Sequence, residues 1–316
     1  MPNIWTHFLF GRELADRVGF QEASATPELL RIYQFGCQGP DFLFYHRFLP
    51  WQSGAGMPEL GGAMHSRGCG PFLLDLLDAV RSKPLRSPEA VYALGFLTHH
   101  LLDRNAHPYV FYASGFKKWN HQRFEMIVDT LVARKLLGIG TWNTPVWKEI
   151  YVGDRLPGET ALILDALARR HYPELAGRFG PDDWNDAYTD MIRAQKLFHD
   201  PTGLKTALTF GKIEPFRFKR RLPPIDYLNE SKREWLHPSV AEEKHTESFW
   251  ELWDQAMDDG MAVMSAALAY WADAAGDGAE AADRRSRLEA CLGDRSYETG
   301  KPCAEGHRIV HVDPII

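Results

Sequence analysis

Eight residues between His7 and Glu125 have the types and spacing to bind a metal: His7, Asp41, His65, His99, Asp103, His107, His121 and Glu125. Three of them, His99, Asp103 and His107, recur every four residues, a step that stacks side chains on one helix face, one turn apart. The neighbours Val91, Leu94, Phe96, Leu97, Leu101 and Leu102 are apolar, so this helix is expected to be buried. Buried imidazoles and carboxylates need partners, because uncompensated charge in the interior is costly. A divalent cation is one such partner; backbone carbonyls around ordinary core histidines are the other. His121 and Glu125 repeat the four-residue step, with an exposed intrahelical hydrogen bond as the alternative. Read singly, His7 is a satisfied core histidine and Asp41 is a helix cap. Read together, the oxygen and imidazole donors suit a catalytic zinc centre better than a cysteine-built structural one.

Helices must carry these groups. Ile4, Phe8, Leu9, Leu14, Ala15 and Val18 place His7 on a helix over 4–18. Thr26-Pro27-Glu28 starts a second helix, with Thr as cap and Pro in the first turn. Gly36-Cys37-Gln38-Gly39-Pro40-Asp41 ends it in a tight loop that would hold Asp41 rigidly. A short helix from Phe42 to Phe48 follows, then a loop over 50–62, His65 at a junction, and a helix from about Pro71 to Val80. Ser87 caps the helix bearing His99, Asp103 and His107, and Pro108 is expected to end it at His107. The amphipathic run carrying His121 and Glu125 ends at Gly138. Further helices are expected at 159–171, 183–199, 243–272, with Ala262 to Ala275 packed rather than membrane-spanning, and 279–291. The fold class is all-α: one domain over 1–316, with a metal-binding core at 1–138 and a looser helical remainder at 139–316.

Composition narrows the class. The 316 residues are 45% hydrophobic and 25% charged, as in a globular protein. A net charge of -6 argues against nucleic-acid binding through bulk charge. One basic stretch, Lys212 to Arg221, reads as a solvated loop against which an anionic substrate tail could lie. No apolar run reaches the ~20 residues that span a bilayer, and no signal peptide is read, so a cytoplasmic location is expected. Four cysteines make no disulfide framework. Cys291, Cys303, His307 and His311 lack zinc-knuckle spacing and are expected to be structural or incidental.

Several motifs occur in a fixed order: Trp5-Thr6-His7, Gln38-Gly39-Pro40-Asp41-Phe42, Met64-His65-Ser66, His99-x3-Asp103-x3-His107-Pro108 and His121-x3-Glu125. In this order the chain resembles the zinc-dependent phospholipase C family, related to bacterial phospholipases C and fungal single-strand nucleases. Ser248-Phe249-Trp250 and Ser296-Tyr297-Glu298-Thr299-Gly300 echo it more faintly. The resemblance implies an all-α fold with two or three zinc ions. It implies one zinc at Asp41, His65, His99 and Asp103, a second at His107, His121 and Glu125, and a third at His7 and a bridging Asp103. Secreted members complete the third with an N-terminal tryptophan; here Trp5 is internal, and His100 is a neighbour that could substitute for a ligand. The implied activity is hydrolysis of a small anionic phosphoester by metal-activated water, with Asp41 orienting or deprotonating that water. The alternatives are a nuclease or phosphomonoesterase on the same metals, or a non-catalytic metal-stabilised helical binding protein. The head group and the oligomeric state are not legible.

Overall fold

The computed structural model describes residues 4–49, 51–52, 56–272 and 278–316. Pro50 and Gly54 of the expected 50–62 loop, and positions 273–275 of the alanine-rich stretch, lie outside them. The described residues form an all-α fold with a single two-stranded hairpin. The helices of the first half are α1 (Ile4–Arg17), α2 (Pro27–Gly36), α3 (Met57–Ser66), α4 (Cys69–Val80), α5 (Pro88–Ser114) and α6 (Asn120–Leu137). Those of the second half are α7 (Thr160–His171), α8 (Pro181–Phe198), α9 (Leu204–Leu208), α10 (Phe249–Ala272) and α11 (Ala279–Leu292). None is long and apolar enough to cross a membrane.

Helix α5 is the axis, buried from Glu89 to Arg104, and α1, α2, α4, α6 and α10 pack around it. Its start is capped as the sequence suggests, Ser87 Oγ accepting from the Ala90 amide at 3.3 Å. Its end differs. Pro108 lies inside the helix, which continues to Ser114. Proline deletes one backbone hydrogen bond, the one owed to the Arg104 carbonyl. Burial of Tyr109, Val110 and Ala113 beyond it offsets that loss, so tertiary packing overrides the local preference.

Close backbone contact brings α2 and the loop after it onto α5. A Cβ on Gly36 would come 2.4 Å from the Tyr92 carbonyl, and one on Gly95 would come 2.4 Å from that of Tyr33. This glycine-to-glycine seam lets α2 lie directly on α5. Gly39 has φ +51, and a Cβ there would overlap the His99 ring at 2.4 Å. The loop can therefore press onto that histidine only with glycine at this position.

Three other elements depart from expectation. Residues Asp41–Tyr45 form a 3-10 turn rather than a helix to Phe48: His46 leaves helical geometry at ψ 120 and Arg47 follows at φ 52. Helix α3 begins at Met57, inside the expected loop, and puts His65 in its last turn. Pro58 suits a first turn, and Met57, Leu60, Ala63 and Met64 bury one face. Finally, the helix expected from 243 starts at Phe249. Before it, β1 (Trp235–His237) and β2 (Val240–His245) pair antiparallel, Trp235 opposite His245, with a bulge after Leu236. A capping box explains the start: Ser248 Oγ accepts from the Glu251 amide at 3.3 Å, and Glu251 accepts from the Ser248 amide at 2.8 Å.

Candidate metal centre

Five elements converge on one buried cluster. α1 brings His7, the 3-10 turn brings Asp41, α3 brings His65, α5 brings His99, Asp103 and His107, and α6 brings His121 and Glu125. Asp41 does not cap its turn, whose cap position is Pro40. Its carboxylate faces the histidines instead, Oδ1 3.0 Å from His65 Nε2 and Oδ2 3.3 Å from His99 Nε2. Asp103 faces three: His7 Nε2 at 3.3 Å, His99 Nε2 at 3.0 Å and His107 Nδ1 at 3.4 Å. Glu125 faces two, His107 Nε2 at 3.1 Å and His121 Nε2 at 3.0 Å. All eight expected residues are thus brought together.

Ring orientation carries the chemistry. His65 Nδ1 donates to the Gly61 carbonyl at 2.7 Å, His99 Nδ1 to Cys37 at 3.0 Å, and His107 Nδ1 to Tyr297 at 3.2 Å. A carbonyl only accepts, so each Nδ1 carries the proton and each Nε2 of a neutral ring is a lone pair aimed at the carboxylates. His99 Nε2, Asp41 Oδ2 and Asp103 Oδ2 are buried and make no hydrogen bond. Lone pairs facing lone pairs at 3.0–3.3 Å require a proton or a cation between them. Within the cluster three donor groups have spacing fit for a cation: His7, Asp41 and His99; His65, His99 and Asp103; His107, His121 and Glu125.

Protons occupy that role when no cation does. Burial alone would lower the His107 pKa, but Asp103 and Glu125 outweigh it and carry it to about 9. His99 is raised in the same way, against burial, by Asp103 and Asp41. Asp103 is held well below the usual carboxylate range despite burial, by His107, His99 and His7. His7 is lowered, first by burial and then by His99, whose ring stacks on it at 4.0 Å.

His100 turns away. Its Nε2 donates to the Arg295 carbonyl at 2.7 Å, burial lowers its pKa to about 3, and it belongs to none of the three donor groups. It supports the covering loop and is no substitute for a neighbouring ligand.

Two groups escaped the sequence reading. Asp129 lies one turn beyond Glu125 and accepts from the Trp5 and Thr6 amides at 3.1 and 2.8 Å and from Thr6 Oγ1 at 2.6 Å. First-turn amides have no helical acceptor, so α6 caps α1 and fixes where His7 emerges. The signal was the continuing four-residue step His121, Glu125, Asp129. The second is Tyr297, 1% exposed, whose ring lies 5.0 Å from His65, 5.8 Å from His99 and 4.5 Å from His100. Its only advance signal was the faint Ser-Tyr-Glu-Thr-Gly echo. In the basic stretch Lys219 pairs Glu214 at 2.8 Å, and Arg220 lies over the Trp142 ring.

A sequence profile described as zinc dependent phospholipase C matches residues 6–171, a span that holds all eight donors. The chain belongs to the zinc-dependent phospholipase C family. Comparisons with curated proteins and with solved structures find no match.

Proposed function

We propose that this chain hydrolyses a phosphate ester, as a phospholipase C-like phosphodiesterase, with two or three zinc ions at the buried cluster. Asp41, His65, His99 and Asp103 would hold one ion; His107, His121 and Glu125 a second; His7 with a bridging Asp103 a third. The observation that carries this is the set of His65, His99 and His107 rings, each fixed by an Nδ1–carbonyl bond with Nε2 turned to a carboxylate, and among them the buried, unbonded His99 Nε2 facing the unbonded Asp41 Oδ2 and Asp103 Oδ2. Bound zinc polarises phosphoryl oxygens and makes water acidic near neutral pH. The chain's own part is positional. The Cys37 and Gly61 carbonyls hold the His99 and His65 rings, leaving the Asp41 carboxylate to orient a water and accept its proton. His107 and His121 are the cluster's more accessible histidines, their side chains 11% and 23% exposed, so substrate would enter from that side.

A cavity of about 430 Å³ borders α6, lined by Lys117, Arg123, Arg217 and Lys219 around a single carboxylate, Glu214, beside Met126 and Ile127. Cationic and apolar walls together support an anionic substrate with an apolar part. The test is zinc analysis of protein purified without chelator, with bis(4-nitrophenyl) phosphate, 4-nitrophenyl phosphate and phosphatidylcholine vesicles as substrates. At least two zinc ions per chain and chelator-sensitive diester cleavage are expected. One zinc or none in folded protein sinks the multinuclear reading. Full zinc with no cleavage of any of the three leaves a metal-stabilised binding protein.

A further inference from the structure

Behind His65, a segment late in the chain is fastened to the start of α4. Residues 294–303 form a closed loop: the Cys303 amide donates to the Asp294 carbonyl at 2.9 Å, the Ser296 amide to Lys301 at 2.9 Å, and Arg295 and Pro302 form an isolated bridge. The loop's crown is Tyr297, packed on His65, His99 and His100, with its amide bonded to the His65 carbonyl at 2.9 Å. Both ends of the loop meet the first turn of α4. Asp294 Oδ1 accepts from the Gly70 amide at 3.0 Å. A Cβ on Gly70 would fall 1.9 Å from the Gly293 carbonyl, so only glycine allows so close an approach. At the other end Cys303 Sγ lies 3.5 Å from Cys69 Sγ, 234 residues earlier in the chain.

We propose that Cys69 and Cys303 are a redox-sensitive pair, oxidised to a disulfide that locks the Tyr297 loop over the histidine cluster. The two sulfurs already touch at 3.5 Å, and a disulfide would bring them to about 2.05 Å. A metal held by the same groups is disfavoured. The group offers three donors, Cys69, Asp294 and Cys303, where structural zinc takes four. Asp294 Oδ1 already receives the Gly70 amide, and the Cys69 thiol donates to the Met64 carbonyl at 3.3 Å.

The order of attack follows from access. Cys69 is 1% exposed, whereas Cys303 is half-buried. Hydrogen bonding between the sulfurs also lowers the Cys303 pKa, while burial raises that of Cys69. The oxidant is a small-molecule disulfide. The Cys303 thiolate attacks one of its sulfurs, forms a mixed disulfide and expels one thiolate. Cys69, losing its proton, then attacks Cys303 Sγ, forms the internal bond and expels the second. The pair gives up two electrons and two protons, and the small disulfide leaves as two thiols. None of this depends on the zinc assignment.

The test uses the full chain with Cys291→Ser, which removes the exposed cysteine, reduced, desalted and treated with oxidised glutathione. The mass should fall by two hydrogens, a peptide map should join Cys69 to Cys303, dithiothreitol should reverse both, and the melting temperature should rise by several degrees. Adding Cys303→Ser should abolish every change, and the circular dichroism spectrum of that variant reports whether it still folds. A stable glutathione adduct with no internal bond, or no reaction at all, overturns the proposal. So does a zinc ion that is lost on Cys303→Ser and shields both thiols in the parent.

Discussion

The two halves of the chain do different work at one place. From Ile4 to Leu137 the helices supply every cluster donor, each on a regular element and most at four-residue steps. From Gly138 onward none of the three donor groups at the cluster draws a residue, yet that half covers the cluster. Tyr297 packs on three histidines and its carbonyl holds His107. Arg295 holds His100, and Arg104 of α5 donates to the Leu292 carbonyl at 2.6 Å and pairs with Asp259 on α10 at 2.6 Å. Chemistry sits in one half and its orientation depends on the other, so variants in the two halves should fail differently.

The largest effect is expected within the first half. Asp103 faces three imidazoles, whereas Glu125 faces two. Asp103→Asn removes charge from the middle of the cluster, where cations close together in low dielectric repel strongly. Activity should vanish, and zinc analysis should show a greater loss than for Glu125→Gln, which should lose only the ion shared with His107 and His121. Circular dichroism checks that both fold. Equal losses would remove Asp103 from its bridging role.

The same division explains what was readable. Local periodicity fixes which donors share a helix face, and the step from His99 through Asp103 to His107 needs no partner to be seen. The caps at Thr26, Ser87 and Gly138 are equally local. What escaped depends on residues far apart in sequence. Helix α5 passes through Pro108 because its buried residues beyond the proline pack regardless. Tyr297 reaches the site only through the loop that the first turn of α4 anchors. The hairpin over 235–245 was hidden by charged residues in β2 that read as the start of a helix, although Ser248 and Glu251 marked the true start.

The next largest effect belongs to the second half. Tyr297→Ala removes a fully buried ring packed on three histidines, and losing such an aromatic costs about 3–5 kcal/mol. Its melting temperature should fall steeply in denaturation scans. Zinc should remain stoichiometric at saturating metal but dissociate faster to a chelator, since the donors are intact and only their cover is gone. A zinc count as low as that of Asp103→Asn would place Tyr297 in the first half's role instead.

Smaller again is a pH effect that separates protons from cations. In the metal-free chain His107 titrates near 9, above its unfolded value of about 6.5. A raised histidine pKa contributes stability fully present below about 6.5 and lost as pH rises through 9. Metal must displace that proton, so zinc affinity should climb about tenfold per pH unit across the same window. The zinc-induced rise in melting temperature should therefore grow from pH 6.5 to 9. A rise that is flat with pH would mean that His107 is not a proton-bearing partner of the cluster.

The smallest expected effect tests how the first half positions its outlying donor. Asp129 on α6 accepts from the Trp5 and Thr6 amides and the Thr6 hydroxyl, so Asp129→Ala leaves two first-turn amides of α1 without an acceptor. Losing such a cap costs about 0.5–2 kcal/mol. The damage is local because the bonds Asp129 makes are to α1, and His7 alone among the eight donors rides on α1. Amide exchange should speed up at Trp5 and Thr6 while the amides around His99 stay protected. At most one zinc per chain should be lost, the one assigned to His7, with those at His65 and His121 retained. If all the zinc leaves together, α1 is part of one cooperative site and the separate third ion has to be withdrawn. If none leaves while exchange at α1 still rises, His7 holds no ion of its own.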